Sequence, residues 1–244
     1  MVLFIGLGSA LTDIVAAFVR HGEFHRRADV PSAHLPYPLT AEGEAQAKAG
    51  TRELLDFAAS RNLRIAPVID SSNLLRAWQT AGIFSAGVQK HTGEKVSVAG
   101  FDDLAERCLG SAANLTLDEI DAVMADDPRF DVPPENWKSS SDYRLPLLGA
   151  ESLADAGRRV VRHVYARISE SFGEGAGGFL KIFVGHGAAF RHAASDMGAL
   201  DKADIAGLSM FHCRPVFLER TSETQWRHIG GDWKVRNSGD VAMD

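Results

Sequence analysis

Apolar positions along this chain fall into short β-branched runs separated by longer amphipathic stretches. Residues 14–20 (IVAAFVR) are an apolar run with branched side chains, the pattern of a buried strand. Residues 66–71 (APVIDS) and 179–184 (FLKIFV) repeat it, and 95–98 repeats it weakly. Between the runs the pattern predicts helices. Thr40 can cap a helix with Glu42 and Glu44 in its first turn, suited to the helix dipole, that runs to about Ser60. Residues 74–89 and 188–198 read as helices, and Ser152 opens a long one ending near Phe172. Thr116 with Glu119 makes a capping box before a short helix near 118–124. Residues 213–220 and 224–229 flank a tight polar turn and read as a hairpin.

Strands alternating with helices imply a three-layer α/β/α fold with a mostly parallel central sheet. The closing hairpin would add an antiparallel edge near the carboxyl terminus. Residues 21–38 hold three prolines and read as a loop, and 173–178 are a glycine-rich turn. Residues 128–149 hold four prolines and a serine run. They belong to an excursion that interrupts the alternation, a lid-like insertion over about 107–149. There is no internal repeat. A chain of 244 residues is read as a single domain, 1–244.

Composition removes several classes. Hydrophobic residues at 45% and charged residues at 24% are ordinary for a globular protein. No run approaches the roughly eighteen apolar residues of a membrane helix, so no membrane partner is expected. Two cysteines, Cys108 and Cys213, exclude a disulfide scaffold or a multi-cysteine zinc site and fit a cytoplasmic setting. They read as small buried hydrophobes. The net charge of −6 argues against a nucleic-acid partner. Two features of MVLFIGLGSA mislead. No Lys or Arg precedes the apolar stretch, which argues against an export signal. Gly6-Leu7-Gly8 lacks the third glycine of a dinucleotide loop, since Leu11 stands there. Oligomeric state stays open; a homo-oligomer is compatible with the sequence, because a buried strand and an interface strand read alike.

In open α/β sheets ligands bind beyond the carboxyl ends of the strands. The first strand ends in Arg20-His21-Gly22-Glu23, the second leads to Arg76, the weak strand to Glu106-Arg107, and the next to Gly185-His186-Gly187. Two arginines, two histidines and one glutamate therefore meet on one rim. Guanidinium forks match phosphate oxygens. A neutral imidazole can attack phosphorus. A second imidazole can bond the transferring group. A carboxyl group can give a proton to the leaving oxygen and later take one from water. Gly22 and Gly187 allow backbone N–H groups near an anion.

Taken in order, these segments resemble the histidine phosphatase superfamily, which contains cofactor-dependent phosphoglycerate mutase. Phe18-Val19-Arg20-His21-Gly22-Glu23 resembles its R-H-G strand end. Residues 38–47 resemble its L-T-x-x-G-x-x-Q-A helix start, and 71–81 its S-S-x-L-x-R-A-x-Q-T-A segment. Glu106-Arg107 with Gly110, Glu151-Ser152, and Val184-Gly185-His186-Gly187 with Arg191 complete the set. The resemblance implies that His21 becomes phosphohistidine, that Arg20, Arg76 and His186 bind the phosphoryl group, and that Glu106 is proton donor and acceptor. It implies no metal and no cofactor, and a phosphorylated small molecule as substrate.

Departures bear on substrate. The mutases carry a Tyr and a Lys where Leu109 and Leu117 stand, and an arginine pair where Asp127 and Pro128 stand, with Arg129 one position late. Loss of these carboxylate-holding cations points to a phosphatase. A mutase and a non-catalytic phosphate-binding module are the alternatives. Arg27 replaces a small polar residue that often contacts phosphate, and is carried as a substrate-binding candidate. His25, Arg26 and Arg27 are either a solvated loop or extra recognition of an acidic substrate. His212 and Arg214, at the start of a strand near the carboxyl end, read as structural in preference to substrate contacts. Trp137 and Tyr143 either line a pocket or cover the sheet.

Overall fold

The computed structural model describes residues 13–27, 29–31, 34–171 and 177–236. The amino-terminal G-x-G and residues 173–176 of the glycine-rich turn lie outside them.

β1 (Ile14–Arg20) is the central strand. Its Val15, Ala17 and Val19 face one layer and Ala16 and Phe18 the other, all fully buried. An unbroken apolar run is what a strand covered on both faces requires. α1 (Ala41–Ser60) and α2 (Leu75–Thr92) cover the first face through Ala47, Leu54, Ala81 and Phe84. α4 (Leu153–Ser171) and α5 (Gly187–Asp196) cover the second through Val160, Val164, Phe190 and Ala194.

β2 (Arg64–Ile65), β3 (Val68–Ser72), β4 (Ser97–Phe101) and β5 (Phe179–Gly185) pair in parallel, in the order β4-β3-β5-β1, with β2 beside β5. β7 (Pro215–Arg220) runs antiparallel to β1, and β8 (Trp226–Gly230) antiparallel to β7, which gives the antiparallel edge. The weak strand predicted at 95–98 forms later, at 97–101, where its residues pair with 68–72. The run predicted at 66–71 forms β3 from residue 68, with Ala66 and Pro67 separating it from β2 just upstream. β6 (Leu208–Met210) and β9 (Trp233–Val235) form a separate two-stranded sheet that the hydrophobic pattern does not indicate.

Thr40 caps α1 by accepting from the Gly43 N–H. Thr116 and Glu119 form the reciprocal capping box of α3 (Leu117–Asp126). The excursion has its own small core of Leu109, Ala112, Ile120, Met124, Trp137 and Leu145. Its two ends meet. Leu109 bridges Ala150, and the Glu151 N–H donates to the Cys108 carbonyl at 2.9 Å. Gly110 and Gly149, at φ of 63° and 81°, provide the left-handed turns at this neck.

One group of charges lies inside the sheet. Asp70 on β3 is fully buried and accepts from Lys181 of β5 at 2.5 Å, Arg167 of α4 at 2.8 Å and His163 of α4 at 3.0 Å. Lys181 also donates to the Val68 carbonyl at 2.7 Å.

Candidate active site

The parallel strands β1, β3 and β5 end at one rim. Arg20 is the last residue of β1, and His21 follows with its N–H on the Gly185 carbonyl at 3.0 Å. β5 ends at Gly185, so His186 caps α5 directly. β3 ends at Ser72, and Arg76 comes one turn later on α2. These side chains meet. His21, Arg76, His186 and Glu106 are each at most 4% exposed, and Arg20 is half-buried.

The His21 ring is fixed at both nitrogens. Nδ1 lies 2.7 Å from the Gly22 carbonyl oxygen, so Nδ1 carries the proton and donates it. Nε2 is left with its lone pair, which accepts from Arg76 Nε at 3.0 Å. Burial, followed by the charge of Arg76, pushes the His21 imidazole well below its usual range, so it is neutral at pH 7. Phe24 meets the ring edge-on at a 5.1 Å centroid distance and His186 lies 5.1 Å away.

Arg76 bridges the two imidazoles. Its Nη2 is 3.3 Å from His186 Nδ1, and its Nη1 donates to the Leu35 carbonyl at 2.8 Å. Phe24 stacks under the guanidinium at 4.4 Å. Burial pulls Arg76 down to about 10, with the Glu106 charge acting in the opposite sense. It remains a cation at neutral pH. His186 Nε2 lies 3.0 Å from Ser72 Oγ, and burial, then Arg76, keeps this ring neutral as well.

Glu106 sits at the start of α5. Its Oε1 accepts from the Arg107 N–H at 2.9 Å and the Ala189 N–H at 3.1 Å, and its Oε2 from the Ala188 N–H at 3.2 Å. A helix N-terminus is a natural seat for a carboxylate. The loop carrying Glu106 is itself clamped. Arg159 donates to the Asp103 carbonyl at 2.7 Å and the Ala105 carbonyl at 3.2 Å, and pairs with Glu151 at 2.6 Å. Glu151 in turn accepts from the Cys108 N–H at 3.0 Å.

The glycines act through the backbone. A Cβ on Gly22 would lie 2.5 Å from the Gly43 carbonyl oxygen, so only glycine lets α1 start this close to His21. The Gly22 N–H is donated to Thr80 Oγ1 at 3.1 Å, which makes Gly22 a support of His21 here. Gly187 opens α5 against Arg20; a Cβ there would be 3.4 Å from Arg20 Cδ.

Arg27 is not joined to this group. It is exposed, as are His25 and Arg26, on a loop whose Asp29 carbonyl accepts from the Leu117 N–H at the start of α3. The Glu119 carboxyl is held down by its bonds to Thr116 and, to a smaller extent, by the Arg27 charge. Trp137 packs in the insert's own core, with the half-buried Tyr143 at 6.4 Å.

Three further residues join the site, two that the sequence did not single out and one that it assigned to structure. Ser72 orients His186. His34 places Nε2 3.0 Å from the Glu106 carbonyl. His212, read as structural, lies with its ring over His21 at 5.7 Å and 29°. It is brought there because residue 212 bridges Arg20 and the Cys213 N–H donates to the Arg20 carbonyl at 2.8 Å. Cys213 holds a left-handed φ of 58°, and α1 approaches it so closely that a Cβ on Gly50 would be 2.1 Å from its carbonyl oxygen.

Among the described residues no helix is long and apolar enough to cross a membrane, and no group of three His, Cys, Asp or Glu could hold a metal ion. No curated protein matches the chain. Solved structures do. A mycobacterial glucosyl-3-phosphoglycerate phosphatase is 22% identical with a TM-score of 0.64, over 93% of this chain and 99% of that one. The YhfR protein of Bacillus stearothermophilus is 20% identical with a TM-score of 0.59, over 94% and 98%. At such identity the likeness is one of fold. The family model described as histidine phosphatase superfamily (branch 1) matches residues 16–229. With that match over most of its length, the chain belongs to the histidine phosphatase superfamily.

Proposed function

We infer that the protein is a metal-independent phosphomonoester hydrolase that works through a phosphohistidine on His21. The observation that carries this is the His21 ring: buried, neutral, with Nδ1 bonded to Gly22 and the Nε2 lone pair turned toward Arg76. An entering phosphate draws the Arg76 donors to its oxygens and leaves that lone pair facing phosphorus. Arg20 and His186 would hold the remaining oxygens as charge spreads over them. The mycobacterial phosphatase of similar fold has been solved with inorganic phosphate and with VO3, which supports an oxyanion ligand for this fold.

In the first step Nε2 bonds to phosphorus and the ester P–O bond breaks. The leaving oxygen takes the proton of the Glu106 carboxyl group. Oε2, with one backbone donor against two on Oε1, is the oxygen better placed to carry it. In the second step the Glu106 carboxylate takes a proton from water. The oxygen bonds to phosphorus, the P–N bond breaks, and neutral His21 returns with inorganic phosphate.

Hydrolysis is favoured over phosphate transfer within a substrate by the insert. Leu109 is buried in its core, and Arg129 is held by Asp127 of the same turn at 2.6 and 2.8 Å. Neither offers a cation to a substrate carboxylate. A pure binding module would have no use for the buried carboxyl of Glu106.

The test is p-nitrophenol release from p-nitrophenyl phosphate in EDTA, with quenched enzyme examined for bound phosphate. Turnover with acid-labile, alkali-stable phosphoprotein is expected. Absence of turnover, or an acid-stable phosphoprotein, would sink the reading. Glu106→Gln adds a sharper check. Loss of a general acid should slow phosphorylation by an alkyl phosphate about 10²–10⁴-fold. The p-nitrophenyl ester needs no proton to leave, so it should give a burst of p-nitrophenol followed by slow turnover. Equal slowing of both esters in a single turnover would remove Glu106 from the acid role.

A further inference from the structure

Beside the catalytic cup the surface opens into a second pocket of about 410 Å³. The two share a wall, because Arg20 and His212 line both. The pocket continues past them to Arg214 and Lys234, with Glu53 of α1 at its edge. Its size suits part of a small ligand.

This pocket is built by features that the cup alone does not need. β6 and β9 pair Ser209 with Lys234 and Met210 with Trp233, which brings Lys234 to the segment 210–214. Arg20 Nη1 donates to the Met210 carbonyl at 3.1 Å, fixing that segment to the end of β1. The left-handed Cys213 turns the chain between His212, which stacks on His21, and Arg214, which lines the pocket. Phe211 supports the Arg214 guanidinium at 4.9 Å. Arg214 reaches Asp232 at 3.3 Å and Glu53 at 3.7 Å, but it is 45% exposed, and exposed pairs of this kind are weak enough for a ligand to displace.

The charge is distributed in a telling way. In the insert, leucines stand at positions 109 and 117, and Arg129 lies against Asp127 of its own turn. Among the described residues this pocket is lined by Arg20, Arg214 and Lys234, with Glu53 in its wall and Asp232 beside Arg214, so cations outnumber carboxylates there. We propose that it is a recognition subsite for a second anionic group of the substrate, so that the protein acts on phosphomonoesters that also bear a carboxylate or a second phosphate. The proposal rests on the phosphatase reading for the phosphoryl end only. His212, between the two anion sites, would contact the linking part of the molecule.

Phosphonates test this without turnover, since their C–P bond is not cleaved. Three probes suffice: butylphosphonate, its ω-carboxylate phosphonobutanoate, and butane diphosphonate. Calorimetry on the full chain should show one or both dianionic probes binding at least about tenfold more tightly than butylphosphonate, the scale of a charge-assisted contact. Which one gains identifies carboxylate or phosphate. The double variant Arg214→Ala/Lys234→Ala should lose that preference. Arg64→Ala, which removes a cation at the far end of the sheet, should keep it, and thermal melts should show all three proteins folded. Equal affinities in the wild type, a preference that survives in the double variant, or no binding of any probe would each overturn the proposal. Turnover of p-nitrophenyl phosphate by the same preparation judges the phosphatase reading separately.

Discussion

His21→Ala is expected to lower kcat for p-nitrophenyl phosphate by on the order of 10⁴-fold or more, the scale seen when a covalent nucleophile is removed. The expectation comes from the geometry of one ring. Its proton is held on Nδ1 by the Gly22 carbonyl, so the Nε2 lone pair is set before any ligand arrives. The other buried imidazole of the cup, His186, is committed elsewhere, with Nε2 on Ser72 and Nδ1 toward Arg76. The pH profile should carry the same signature. Because burial and Arg76 hold His21 well below its usual 6.5, its protonation should not limit kcat/KM until the pH is clearly below that value. A variant that keeps a tenth of wild-type turnover, or a wild-type acid limb near the ordinary histidine value, would contradict the assignment.

The second large effect concerns stability and lies away from the rim. Asp70→Asn is expected to cost about 3–5 kcal/mol, the usual result of removing one partner from a buried ion pair. Lys181 would be left at 1% exposure with the Val68 carbonyl as its remaining strong acceptor. Denaturant unfolding measures this, and a loss under about 1 kcal/mol would show that the cluster relaxes without strain. Replacing both ends, Asp70→Asn with Lys181→Met, should cost less than Asp70→Asn alone.

The same cluster sets an acid sensitivity. Burial pushes the Asp70 carboxyl up, but His163, Arg167 and Lys181 outweigh it and hold it at about 2, against an ordinary 3.8. A carboxyl lowered on folding stabilises the folded state above its unfolded value and loses that contribution as pH falls toward the folded one. The contribution, roughly 2 kcal/mol, should therefore be complete above about pH 4 and fade toward pH 2. Lys181 moves the other way: burial lowers it more than Asp70 restores it. The carboxylate accepts from Lys181, Arg167 and His163 while the ammonium has one anion, so the gain belongs to Asp70.

Much of this architecture is legible in the chain. The run 14–20 is apolar without interruption because both faces of β1 are covered, and the strand-end residues Arg20, Arg76, Glu106 and His186 meet because parallel strands end together. What escapes is short or long-range. β6 and β9, at three residues each, are too brief to show a period. β4 forms two residues late because an edge strand holding Ser97 and Gly100 gives little apolar signal. His212 reaches His21 through a pairing between residues 192 positions apart in sequence, 20 and 212, which no local pattern encodes. Asp70 and Lys181 had a signal that could have been used. A charge inside an otherwise apolar strand needs a partner, and two such strands hold opposite signs.

The neck of the excursion has an evolutionary consequence. Because Cys108 and Leu109 meet Ala150 and Glu151, the segment between them leaves and re-enters the fold at one point. It also packs on a core of its own. Such a segment is a replaceable cassette: it can be lengthened, shortened or recomposed while Glu106, two residues before the neck, keeps its carboxylate on the N–H groups of Ala188 and Ala189. Substrate range and chemical step can then diversify at different speeds in one small enzyme.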